Sequence, residues 1–258
     1  MKRIIALFCV LIITGAVCAA CNNKPGEKDQ AEPTHTEAAA APTQTSAATR
    51  SVEATAAPVT QAALMDPATA QLSELVKNAR ETVIVQNGGT EKRCRIPEIL
   101  LDSSDAKAAN SGIIEKYGEI FDAPDQHSYI LALDYQAYLY DKFLSVYINC
   151  RVDGGNSDGL CFCFDITTGK LLDSKTLCSM LGRDYSTVLD KLKANLTSYY
   201  DEKFSMLQDN DEMRSQTLAD SNLDSSKMFL NEDHQLTAMV NVFAAVGGGR
   251  WVETISAE

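Results

Sequence analysis

Hydrophobic and polar residues change rhythm several times along the chain. Residues 4–13 (IIALFCVLII) are an unbroken apolar run, and residues 22–65 carry no aromatic side chain and no apolar period. Patterned sequence begins at Asp66 and Pro67, an N-cap acceptor followed by a residue that needs no donor. Leu72, Leu75, Val76 and Ala79 follow at helical spacing and predict a first helix. Residues 82–86 (TVIVQ) read as a strand, Asn87, Gly88 and Gly89 as a turn, and residues 92–96 as a return strand ended by Pro97. A second helix is predicted over 106–121, capped by Ser104 and Asp105, with Ala109, Ile113, Ile114 and Tyr117 on one side. Residues 129–140 and 143–152 alternate as two long strands about a turn at Asp141 and Lys142. A glycine-rich turn at 154–159 leads to a strand over 160–166, and Thr168 and Gly169 turn into a short one over 170–173. A third helix is predicted over 184–204 from the stripe Val188, Leu192, Leu196 and Tyr199. Residues 207–226 give no assignment. Strands follow at 228–230 and 236–246, with a break at Gly247, Gly248 and Gly249 and a last strand over 250–255. Tight turns make neighbouring strands antiparallel, and helices lie apart from the meander, so the expected class is α+β.

The apolar run at 4–13 is preceded by Lys2 and Arg3 and followed by small residues down to Ala19, Ala20 and Cys21. A basic start, a short apolar run and a small-residue cleavage site are the parts of a secretory signal. The run is too short for a membrane span, which needs about 20 apolar residues. VCAAC (17–21) resembles the lipobox of bacterial lipoproteins, which implies cleavage before Cys21 and a diacylglycerol on its thiol. A plain secretory leader with an incidental cysteine is the alternative. The expected organisation is a leader over 1–20, a disordered Ala/Thr/Pro tether over 21–65 and an α+β module over 66–258, divisible into lobes at 66–180 and 181–258. The tether has too little apolar surface to offset ordering entropy.

The formal charge is −12 over 258 residues, and loss of the leader removes Lys2 and Arg3 and no acid, leaving the chain two units more negative. That sign repels phosphate backbones and excludes nucleic acid as an expected partner, while suiting cationic ones.

RIPEILLDSSDAKAANSGIIEKY (95–117), LSVYINCRVDGG (144–155), FCFDITTGKLLDSKTL (162–177) and DYSTVLDKLKANL (184–196) together resemble a Gram-positive extracellular domain of unknown function. That domain occurs in lysozyme-sensing RsiV anti-sigma factors and beside the catalytic domain of PdaC-type peptidoglycan deacetylases. The resemblance covers about residues 80–255. It implies an α+β module that recognises an envelope component or a cationic protein such as lysozyme, and needs no cofactor. Two segments depart from the family pattern. DGGNSDG (153–159) replaces a Gly-Gly-Ala-His-Gly turn, and VFAAVGGG (242–249) replaces a Pro-Tyr-rich stretch.

Candidate chemistry is sparse. Residues 155–159 (GNSDG) match G-x-S-x-G, but an esterase nucleophile needs a strand before it and a helix after it, and here strands are predicted on both sides. Asp153 and Asp158 lack the alternating acids of a calcium loop. His35, His127 and His234 form no metal-spaced pair, and His127 and His234 are expected at the surface. No metal site and no catalytic residue is assigned. Cys161 and Cys163 share one strand face. Equal distance from the 153–159 turn sets Cys150 near Cys161, and a disulfide there is one expectation, with Cys150 to Cys163 the next and free thiols the third. Tyr129, Tyr135, Tyr138 and Tyr140 on one strand are candidate stacking residues for a ligand, although tyrosine also suits strands for packing alone. The expectation is a lipid-anchored protein on the extracytoplasmic face of the cell membrane, binding wall glycan or a lysozyme-like protein without catalysis. A peptidoglycan-modifying hydrolase is the competing one.

Overall fold

The computed structural model describes residues 64–206, 211–244 and 249–258. The leader, Cys21 and the tether up to residue 63 lie outside the described residues, as do 207–210 and 245–248. The fold is α+β, with helices packed on antiparallel sheets.

Strand β1 (Val76–Val85) pairs with β2 (Glu91–Ile99) from Val76 opposite Ile99 to Val85 opposite Glu91. The helix expected from residue 67 is therefore only one turn, α1 (Leu72–Leu75), and Val76 already belongs to the ladder. A long nonlocal ladder with β2 competes with a marginal three-turn helix, and β-branched Val76, Thr82, Val83 and Ile84 suit the strand. Pro97 does not end β2. It sits opposite Asn78, where the register shifts between Asn78 and Arg80, and such a bulge is where a strand tolerates a residue without a donor.

Helix α2 (Ser104–Asp122) is capped by Ser103, whose hydroxyl accepts the Ala106 N–H. It buries Ala106, Ala109, Ile113 and Tyr117. Asn110 holds it to β2: its Oδ1 accepts the Ile99 N–H at 2.9 Å and its Nδ2 donates to the Ile99 carbonyl at 2.8 Å.

The central sheet runs β3 (Ile130–Tyr140), β4 (Phe143–Val152), β5 (Ser157–Asp165) and β6 (Lys170–Leu171). Its two faces serve two cores. Leu144, Val146, Ile148 and Phe164 join Ile96, Ile113 and Leu133 in the first. Phe143 and Cys163 join the second, which contains Leu177, Leu192, Leu196, Leu236 and Val240. The second core is closed by α3 (Ser174–Met180), α4 (Tyr185–Phe204), α5 (Asp211–Thr217), α6 (Asp220–Asp224) and the sheet β7 (Lys227–Leu230), β8 (Leu236–Phe243) and β9 (Arg250–Ser256). Strands β4 and β5 feed both cores, so a lobe boundary at residue 180 does not separate them. Ser145, fully buried, ties the two sheets by accepting the Leu230 N–H at 3.0 Å.

Carboxylates finish several elements. Asp173 and Asp184 cap α3 and α4 by accepting the N–H groups of Thr176 and Thr187. The Thr176 amide and the Ser186 hydroxyl are the leading partners that hold Asp173 and Asp184, respectively, below the usual carboxylate range. At the C-terminus, partial burial acts to raise Glu258, but the Leu236 N–H at 2.7 Å and Arg183 at 2.6 Å outweigh it and the carboxyl is lowered. A depressed folded-state value stabilises the fold above the unfolded value and is lost as pH falls through the folded one. Urea unfolding should therefore show stability nearly flat from pH 7 to about 5 and falling below that. Glu258→Gln is expected to make the fall shallower; an unchanged acid slope would mean that Glu258 contributes nothing to it.

Candidate functional site

The turn between β4 and β5 is shorter than the sequence indicates. Val152 donates to the Asn156 carbonyl at 3.0 Å, and β5 begins at Ser157. Gly154 and Gly155 take φ of 87° and 90°, which only glycine adopts without strain. This turn lies against β9, and Ser157 bridges the two. Ser157 Oγ accepts the Val252 N–H at 2.8 Å and donates to the Val252 carbonyl at 3.2 Å. The serine of the G-x-S-x-G match is thus a clamp between two strands; a strand follows it and no helix does. Ser157→Ala would strand both groups of Val252, and a loss of about 1–3 kcal/mol in denaturant unfolding is expected. A change below about 0.5 kcal/mol would show that Val252 finds other partners.

Beside this clamp opens a groove of about 630 Å³, with Tyr147, Asn149, Arg151, Asp153, Trp251 and Glu253 in its wall. Trp251 is the only tryptophan of the chain. It is half-buried, its ring packed edge-on against Phe204 at 5.4 Å, and its Nε1 donates to Glu253 Oε1 at 3.1 Å. Tyr147 stacks on Phe229 at 5.4 Å, and burial, then Glu253, pushes its phenol up to about 12. Arg151 is exposed and brings a cation, and Asp153 Oδ1 accepts the Gly154 N–H at 2.9 Å. Two fixed aromatic rings, an amide, a guanidinium and carboxylates around an open trough match what a sugar needs, namely apolar ring faces and oriented hydrogen-bond partners.

The four candidate tyrosines do not form one surface. Tyr135 pairs with Ile148 and packs on the first core, its hydroxyl donating to Asn78 Oδ1 at 2.7 Å. Tyr138 and Tyr140 pair with Ser145 and Phe143 and so leave the opposite face of β3. Tyr138 donates to Gln136 Oε1 at 2.9 Å, and exposed Tyr140 stacks on His234 at 4.3 Å. Tyr129 is exposed before the strand, 5.6 Å from His127.

The cysteine register also differs from expectation. Cys150 lies opposite Asp158 and Cys161 opposite Tyr147. The shorter turn shifts the pairing, so Cys150 joins the first core while Cys161 and Cys163 leave the other face. Neither Cys150–Cys161 nor Cys150–Cys163 is a bond that this register permits, and all five described cysteines are free and buried. Burial pushes Cys150 up to about 11 and Cys163 up to about 12, and raises Cys94, Cys161 and Cys178 as well. They are therefore thiols at neutral pH, unsuited to nucleophilic attack. His127 is buried rather than at the surface, its Nδ1 2.9 Å from the Ala123 carbonyl; His234 is exposed, in a left-handed turn at φ 60°. Among the described residues no group of three or more His, Cys, Asp or Glu is placed to hold a metal ion. None of the described helices is long and apolar enough to cross a membrane.

Sequence reasoning missed the groove because its two walls are about a hundred residues apart in the chain and are brought together by tertiary contacts such as that of Ser157 with Val252. The local signals were the lone tryptophan and the departure at residues 153–159. No protein-family model matches the chain, and no curated protein matches it.

Proposed function

We propose that the protein is a lipoprotein anchored through Cys21 at the extracytoplasmic face of the cell membrane, whose module binds a cell-envelope glycan without turning it over. The observation that carries the binding reading is the groove between the 153–157 turn and β9, with Trp251 and Tyr147 in one wall beside Arg151 and Asn149. The address rests on the leader and on Ala19, Ala20 and Cys21. The resemblance to the RsiV and PdaC extracellular domain supports an envelope ligand. One segment that departs from that family, 153–159, lines the groove through residues 153–157, so its ligand is expected to differ from theirs.

The net charge of −12 favours a second partner, a cationic lysozyme-like protein. The hydrolase alternative draws on Asp153 and Glu253, both in the groove wall. Titration of residues 21–258 carrying Cys21→Ser against muropeptides and against lysozyme, at physiological salt, separates the three. Saturable muropeptide binding with intact ligand recovered is the expected result. Lysozyme binding alone would move the function to the charged surface, and released sugar or acetate that Glu253→Gln abolishes would make the module an enzyme.

A further inference from the structure

Strand β1 pairs with β2 on one side, and among the described residues no strand pairs with its other edge. The Gln86 N–H donates to the Thr90 carbonyl at 2.9 Å where the hairpin closes, so the alternation of antiparallel bonds turns Ile84 and Thr82 toward β2. The N–H and C=O groups of Glu81, Val83 and Val85 therefore point outward. Among the described residues no other element bonds to them; the turn Pro124–His127 packs beside β1 without taking a hydrogen bond from this edge. Backbone groups left unpaired by protein must meet water, so the edge is open. Its side chains are open as well: Val83 is 50% exposed and Val85 54%, while Ile84 between them is buried. An exposed edge of β-branched residues is a template for a further strand, and proteins guard such edges with bulges, charge or proline. Here the bulge between Asn78 and Arg80 and the turn after Val85 bound the open stretch to residues 81–85.

We propose that this edge joins a second copy of the chain, β1 to β1 and antiparallel, with Val83 on the two-fold axis. That register sets Val83 opposite Val83 and Glu81 opposite Val85, so that Glu81, Val83 and Val85 all bond; a shift to either side would leave some of them unpaired. The valines of both copies then form one stripe across the joined hairpins. Charge favours a second copy over a foreign protein. The chain carries a net −12, which opposes self-association elsewhere, but this hairpin is locally neutral. Lys77 pairs with Glu98, Arg80 with Asp122, Arg93 with Glu81 and Arg95 with Asp134, and Lys92 stands next to Glu91. A strongly charged partner gains nothing there, whereas two copies meet without local repulsion. So short an edge buries less than the about 1,200 Å² of a stable interface, which makes the dimer weak and reversible.

The test uses residues 21–258 with Cys21→Ser. Sedimentation velocity at rising concentration, up to about 1 mM, should shift from monomer toward dimer. Val83→Pro should fold, because the N–H it removes bonds nothing in β2 and edge strands tolerate proline, and it should weaken the dimer at least about tenfold. Val83→Lys, at an exposed side chain, should do the same and decides the matter if the proline variant unfolds. Oxidation with diamide reads the register. Val83→Cys should give a disulfide-linked dimer, since directly paired Cα atoms stand about 5.5 Å apart, within disulfide reach. Val85→Cys should give little, since its two copies would lie about 14 Å apart along the strands, and the described native cysteines are buried. Monomer at every concentration would leave the edge to a foreign strand and overturn the proposal. So would a dimer unchanged in Val83→Lys, or equal cross-linking by Val83→Cys and Val85→Cys.

Discussion

Phe164→Ala is expected to lose about 3–5 kcal/mol of stability, the range for emptying a fully buried aromatic site. Phe164 is completely buried, opposite Leu144 on one side and Leu171 on the other, in the first core. Its strand also supplies Cys163 to the second core, so collapse around the missing ring is opposed by packing on both faces of the sheet. Against a typical total of about 5–15 kcal/mol this is a large fraction. The midpoint of thermal unfolding should fall by roughly 10 °C for a module of this size. Equilibrium urea unfolding, monitored by far-ultraviolet circular dichroism, measures it. A loss under about 1 kcal/mol would mean that the two faces do not brace each other as described.

Cys21→Ser is expected to move the protein almost entirely from the membrane fraction to the soluble one. Each buried methylene of an acyl chain contributes about 0.8 kcal/mol, and two chains together anchor stably where one would exchange. Summed over two chains, that energy exceeds what a single core substitution removes. Fractionation of a bacterium that carries the lipid-modifying enzymes, with intact-mass analysis of the N-terminus, measures it. An unlipidated mature chain starting at a residue other than Cys21 would end the lipoprotein reading and leave the groove untouched.

Local patterns foretell the parts of the fold that local forces decide. The strand-forming runs 129–140 and 143–152 about Asp141 and Lys142 match the β3–β4 hairpin, and the stripe Val188, Leu192 and Leu196 is the buried stripe of α4. The same rule misreads residues 66–80. Leu72, Leu75, Val76 and Ala79 fit a helical face, but pairing with β2 decides the matter from a distance. Pro97 misleads because its bulge partner, Asn78, lies in another strand. Helices α3, α5 and α6 have at most seven residues, too few for a period to show. The tyrosines show a further limit. They are close in sequence, but a strand sends odd and even positions to opposite faces, and Tyr135 parts from Tyr138 for that reason. Trp251 and Tyr147, far apart in sequence, line one groove.

That pairing makes ligand binding in the groove directly measurable, because Trp251 is the chain's sole tryptophan and stands in the groove wall. Its emission, excited selectively, reports on the proposed site and on no other indole. Titration of residues 21–258 carrying Cys21→Ser with defined muropeptides should give a saturable change in Trp251 emission. The change should follow the same isotherm as calorimetric binding, and Arg151→Ala should weaken both together. Muropeptide binding by calorimetry with Trp251 emission unmoved would place the ligand elsewhere and contradict the groove as the functional site.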